Sequence, residues 1–443
     1  MKLPEFFILY LLFLIVHALP RPEKRVAVLP PSADPFYKAP AGYEATEPGT
    51  ILAHRKVPHP IAALGPIPLR LAGAYQILYR SNDNFGNPTV AVTTVLIPQN
   101  ADTTKLLSYQ IPEDAPSPDC APSYVLQTGP EKGDILSRLG IQIHTVLFIA
   151  ALEKGWVVSI PDFEGLQGAF LANRRAGYAV LDGIRAVLNS TKFTKVSPNA
   201  KTSIWGYSGG SLATGFAAEL QPLYAPELEI AGAALGGLIG SIENVIYTLN
   251  KGPFVGLVFS GFHGMSHEYQ DIASIIREQL TDDPVKRNKF LQAADNCFLA
   301  NVLQFTFEDI FSYFKDPNIL QYPAVQQAFA DNNLGQYAPE IPLFVYKGSL
   351  DEISPVRDTE SIVSGYCAAG TSVKYNEVVT HAHVILQMDG FAEAFAWLEK
   401  RMNGVPAEKR CKQTEELLPL SEPGTLDALG TTVVAEIENL LGI

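Results

Sequence analysis

The chain has 443 residues, of which 47% are hydrophobic, 10% aromatic and only 18% charged, and its formal net charge is −13. So much apolar sequence excludes a disordered or coiled-coil protein, and the length suits one large α/β domain with insertions or two smaller domains. The acidic balance argues against a nucleic-acid partner, because a phosphate backbone demands a basic surface.

Lys2 precedes an apolar run from Phe6 to Val16, and Val16 and Ala18 flank His17 as small residues at a cleavage site. Residues 1–18 therefore read as a signal peptide, and the run is too short to span a bilayer. Lys24-Arg25 offers a second, dibasic processing point, which would make a short propeptide ending at 25. No later stretch is long and uncharged enough to cross a membrane, so the mature chain is expected to be secreted and extracellular without a transmembrane segment. Residues 19–60 are rich in Pro and are expected to wrap the surface as an extended arm.

The texture then changes. Thr89 to Ile97 is dense in β-branched residues and predicts a strand; Leu106 to Ile111 is a weaker candidate. Trp156 to Ile160 reads as a short buried strand closed by Pro161-Asp162. Arg175 to Leu188 carries apolar side chains at helical spacing: Tyr178, Leu181, Ile184 and Leu188. Thr202 to Trp205 predicts a strand and Ser211 to Leu220 a helix, with further strands at Ile230 to Leu235 and Leu343 to Tyr346. Strands alternating with helices imply an α/β fold with a doubly wound, mostly parallel sheet, built from residues 61–238 and 334–411. Over 239–333 the alternation lapses. Helices are expected at His267 to Leu280 and Pro284 to Ala294, with aromatic residues clustered from Phe305 to Phe314. This segment reads as an inserted helical cap or lid, or else as ordinary core helices. Residues 412–443 form a C-terminal extension with a short amphipathic helix at Thr432 to Leu441.

Gly206-Tyr207-Ser208-Gly209-Gly210 matches the G-x-S-x-G nucleophile elbow, in which glycines flank a serine on a strained strand-to-helix turn. A strand before it and a small-residue helix after it supply the expected context; without chemistry, the motif is a Gly-rich turn. The helix N-terminus and the amide of Gly209 would serve an oxyanion. Serine needs a base, and the base an orienting carboxylate, in the chain order Ser, Asp, His. Asp351 falls just past the strand Leu343 to Tyr346, with Glu352 as competitor and Asp162 after a different strand. His381 and His383 both lie downstream. Their two-residue spacing would turn them the same way on a strand, so periodicity does not choose. His383, nearer the helix bearing Phe391, Phe395 and Leu398, is preferred. There is no H-E-x-x-H, and two histidines without further ligands make a poor metal site, so neither metal nor organic cofactor is implied. Four cysteines, Cys120, Cys297, Cys367 and Cys411, behind a signal peptide favour two disulfides, with three pairings open. Asn189-Ser190-Thr191 is a glycosylation sequon.

Several segments together resemble the fungal secretory lipases. They are Leu29 to Ser32 with Asp34 to Tyr37, Glu113-Asp114 with Cys120 to Tyr124, Pro161 to Gly165, Ala176 to Arg185, Gly206 to Gly210, and His383, Gly390 and Trp397 to Arg401. The resemblance spans about residue 29 to Cys411. It implies an α/β-hydrolase with a helical cap over an acyl-binding tunnel, with Ser208 as nucleophile, Asp351 as acid and His383 as base. It further implies Asp114 beside Gly209 at the oxyanion site, which requires a protonated carboxyl and hence burial. Disulfides Cys120–Cys297 and Cys367–Cys411 are likewise implied. The expected substrate is an acylglycerol or related lipid ester, its acyl chain under the cap, with transient contact to a lipid interface. A peptidase or acyltransferase of the same fold, and a catalytically silent binding protein, are the rival readings.

Overall fold

The computed structural model describes residues 28–64, 67–129 and 140–417. The signal peptide expected at 1–18, the processing point expected at 25 and the tail helix expected at 432–441 lie outside the described residues. Ten strands make one sheet: β1 (Ile51–Lys56), β2 (Leu71–Asn82), β3 (Pro88–Pro98), β4 (Asp102–Gln110), β5 (Trp156–Pro161), β6 (Lys201–Tyr207), β7 (Ile230–Gly236), β8 (Leu343–Gly348), β9 (Val373–Val378) and β10 (Lys412–Glu416). Across the sheet they run β1-β2-β3-β5-β4-β6-β7-β8-β9-β10. The pairings β1–β2, β2–β3 and β3–β5 are antiparallel. From β5–β4 to β9–β10 every pairing is parallel.

Both faces of this sheet are covered, which is why its central strands are apolar throughout rather than alternating. β5, Trp-Val-Val-Ser-Ile-Pro, is buried at every position. Successive side chains leave on opposite faces and feed two cores. Leu106, Val157, Ile204 and Val345 join helices α1 (Asn173–Leu188) and α2 (Gly209–Tyr224). Their neighbours Leu107, Val158, Trp205 and Phe344 join the helices His144–Glu153 and Phe391–Met402 on the other side.

Three strands differ from the sequence expectation. The expected arm contains β1, an edge strand held by its register with β2 (Lys56 opposite Tyr75). β2 itself is hidden in the sequence because four of its seven buried positions are polar. Tertiary partners answer two of them: Gln76 Nε2 donates to Ser123 O at 2.7 Å and Ser81 Oγ to Asp182 at 2.8 Å. The C-terminal extension begins with β10, so the sheet continues past 411.

Between β7 and β8 the chain makes six α-helices: Ile242–Leu249, Gly256–Glu268, Gln270–Gln279, Pro284–Gln292, Phe298–Phe305 and Pro323–Asn332. The single helix expected over His267 to Leu280 is broken at Tyr269, which is extended (φ −105°, ψ 107°). Its hydroxyl accepts from Asn84 Nδ2 at 2.6 Å and Asn332 Nδ2 at 2.7 Å, so a tertiary contact overrides the helical pattern. Beside it the Arg175 guanidinium pairs with Glu268 at 3.1 Å, both side chains nearly buried. The Cys120–Cys297 disulfide ties this segment to the loop after β4, and Cys367–Cys411 ties helix Val356–Ala368 to the start of β10.

Candidate active site

β6 ends at Tyr207 and α2 begins at Gly209, leaving Ser208 alone on the turn with φ 54° and ψ −123°. That conformation costs a non-glycine residue about 1–3 kcal/mol, and the surroundings hold it. Ser208 N donates to Gly236 O at 2.9 Å. A Cβ on Gly206 would collide with Gly210 O, and one on Gly210 with Gln110 O. Backbone atoms cannot yield, so glycine is required on both sides of the serine.

Ser208 Oγ lies 2.8 Å from His383 Nε2, and His383 Nδ1 lies 2.7 Å from Asp351 Oδ2. The structure thus brings together Ser208, Asp351 and His383 from three separate loops at the C-terminal ends of the parallel strands, where ligands bind in open α/β sheets. Asp351 follows β8 and is held on every side. Its Oδ1 accepts from the N–H groups of Ile353 (2.9 Å) and Ser354 (2.8 Å). Its Oδ2 also receives Lys347 Nζ at 2.8 Å, and both side chains have zero exposure. Burial works to raise this carboxyl, but the His383 ring and Lys347 overcome it and hold the group well below the usual carboxylate range. Lys347 in turn donates to Leu238 O at 2.9 Å.

Glu352, the competing acid, instead accepts from His383 N at 2.6 Å and caps the helix His383–Asp389. That helix overturns the assumption that the two histidines share a strand face. His381 precedes it and turns away, with Nε2 2.8 Å from Asp389 Oδ2 and Nδ1 2.9 Å from Thr380 Oγ1. Asp162 serves a different loop, accepting from Ser123 N at 2.9 Å and Ser123 Oγ at 2.5 Å.

Asp114 is packed against the Ser208 turn from the loop after β4. A Cβ on Gly209 would strike its Oδ1, so only glycine lets the two meet. That Oδ1 is buried without a hydrogen-bond partner. Burial pushes the Asp114 carboxyl up to about 7. Gly209 is the first residue of α2, where a helix leaves N–H donors without intrahelical partners. Beside these groups an apolar cavity of about 710 Å³, including its open mouth, is lined by Asp114, Ser208, Leu212, Ile246, Phe262 and Phe329 among others. Among the described residues, no group of His, Cys, Asp and Glu side chains could hold a metal ion.

Sequence reasoning missed Lys347, although a lysine ending an apolar strand four residues before Asp351 was a readable sign of a buried ion pair. It also missed Tyr207, whose hydroxyl donates to His383 O at 2.6 Å. No local pattern marks that contact.

The family model for "Secretory lipase" matches residues 131–410. The chain belongs to the secretory lipase family. It is a lipase or carboxylic-ester hydrolase of the α/β-hydrolase fold, as the resemblance read from the sequence implied. Lipase A of Arthroderma benhamiae is 47% identical over 95% of this chain and 90% of its own length. Lipase 4 of Candida albicans is 38% identical over 92% of this chain and 89% of its own. The X-ray structure of Candida antarctica lipase A in its closed state superposes with a TM-score of 0.84 at 27% identity, covering 94% of this chain and 96% of that one. Among the described residues of this secretory lipase, no helix is long and apolar enough to cross a membrane.

Proposed function

We propose that this lipase cleaves acylglycerols or related lipid esters through an acyl-enzyme on Ser208. The hydrogen-bonded row from Ser208 through His383 to Asp351 carries the reading. His383 Nε2 takes the Ser208 proton as Oγ attacks the ester carbonyl, while Asp351 keeps the other ring nitrogen protonated and offsets the charge that the ring gains. Gly209 N–H and a protonated Asp114 donate to the oxyanion. His383 then protonates the leaving alcohol and, in the second half-reaction, activates water. The acyl chain lies in the apolar cavity, and residues 239–333 act as the cap over it, with transient contact to a lipid surface. The protein is secreted and carries its glycan on Asn189, which is exposed at the end of α1.

Ser208→Ala abolishes turnover of a short p-nitrophenyl ester and removes labelling by a fluorophosphonate probe. Persistent turnover, or a label landing on another residue, overturns the assignment.

A further inference from the structure

Asp114 belongs to a cluster of buried acids whose other three members this mechanism leaves unused. Glu113, Asp114, Asp162 and Glu164 are all at most 8% exposed. Two of them, Asp162 and Glu164, sit on one loop, Pro161 to Gly165, at the end of β5. Asp162 fixes the far end of the neighbouring loop through Ser123. Glu164 fixes the near end: Oε1 accepts from Asp114 N at 3.0 Å and Oε2 from Ala115 N at 3.4 Å. Asp114 stands at φ 49°, a left-handed conformation that a side-chain-bearing residue keeps only when its surroundings impose it. The two loops are pressed together at their other ends as well, since a Cβ on Gly168 would collide with Pro116 O.

We propose that Glu164 is the positioning residue of the oxyanion site: by holding two successive N–H groups it imposes the backbone turn that aims the Asp114 carboxyl at Gly209. Two acceptor oxygens meeting two adjacent donors define both the place and the tilt of the peptide, which a single hydrogen bond does not. A displacement of about 1 Å at a transition-state donor is enough to cost up to two orders of magnitude in rate. Glu164 touches neither substrate nor reacting atoms, so its influence passes entirely through Asp114. Burial and the nearby Asp114 both push the Glu164 carboxyl up, and the two N–H groups work against them. This inference rests on the proposed oxyanion role of Asp114.

The test is a double-mutant cycle on a soluble p-nitrophenyl ester with Glu164→Gln, Asp114→Ala and the pair. Gln keeps the size of the side chain but puts an NH2 group against one of the two donors. In folded protein, Glu164→Gln lowers kcat about 10- to 100-fold with KM changed less than about two-fold. In the Asp114→Ala background the same change alters kcat less than about three-fold. An unchanged kcat in Glu164→Gln, or an equal loss in both backgrounds, overturns the positioning role. An Asp114→Ala enzyme with full kcat would instead remove the oxyanion reading on which it rests. Should Glu164→Gln give no cooperative thermal transition, hydrogen exchange in the unaltered enzyme decides. Slow exchange at the Asp114 and Ala115 amides supports the clamp, and exchange at the rate of open loops overturns it.

Discussion

Asp351 and Asp114 are both buried carboxyls beside the same serine, yet their surroundings drive them in opposite directions. Asp351 has a lysine, an imidazole and two backbone N–H groups around it, and it is held as an anion despite burial. Asp114 has an unpartnered oxygen and acids for neighbours, and burial takes it up to about 7. The Asp162 carboxyl is likewise pushed up to about 7 by burial, against its bonds from Ser123, while Glu113 and Glu164 rise well above their ordinary range. Burial alone favours the neutral acid, and only charge and directed donors reverse it. One residue type is thereby available in two states on opposite sides of the proposed reaction, one to accept a proton's hydrogen bond and one to donate.

The largest effect that would break this contrast is Asp351→Asn, which removes the anion while keeping the shape. It should lower kcat on a p-nitrophenyl ester about 10⁴-fold, by stabilising the wrong histidine tautomer. A loss under tenfold would mean that the Asp351 charge is not what orients His383. Asp114→Ala comes next, with about a 10²-fold fall in kcat and little change in KM, the expected cost of one oxyanion donor. Steady-state kinetics checks both.

Stability against pH sharpens the same comparison. Carboxyls raised on folding contribute stability that is complete below about pH 4 and is lost as pH rises through their folded values, two of them near 7. Asp351, lowered on folding, contributes the reverse: its share is present above about pH 4 and is lost below it. The thermal midpoint should therefore peak in mildly acidic solution and fall by about 5 °C or more between pH 5 and pH 8. Glu113→Gln should flatten that fall, as differential scanning calorimetry would reveal. The smallest effect is His381→Gln. Bonded to Asp389 and Thr380 rather than to the serine, His381 should be replaceable with kcat kept within about three-fold. A collapse in kcat would reopen the choice of base.

Much of this molecule was legible in one dimension. The G-x-S-x-G glycines announce a turn on which side chains would collide, and the apolar runs at Trp156 and Leu343 announce strands buried on both faces. Local sterics and period carry those signals, so Ser208, Gly209 and Asp351 could be nominated from their own neighbourhoods. What stayed hidden depends on residues distant in the chain. Four of the seven buried residues of β2 are polar, and Ser123 and Asp182 supply partners for two of them. The helix expected through Tyr269 breaks because Asn84 and Asn332 offer that hydroxyl partners.

Sequence by itself determined the fold class, the elbow and the triad candidates, because each rests on spacing within about ten residues or on chain order. Tertiary structure alone showed how His381 is turned away from the serine, which carboxyls are driven up or down, and that Lys347 and Glu164 stand behind them. Protonation is set by the groups within a few ångströms, and in a fold of this kind those groups arrive from several different strands.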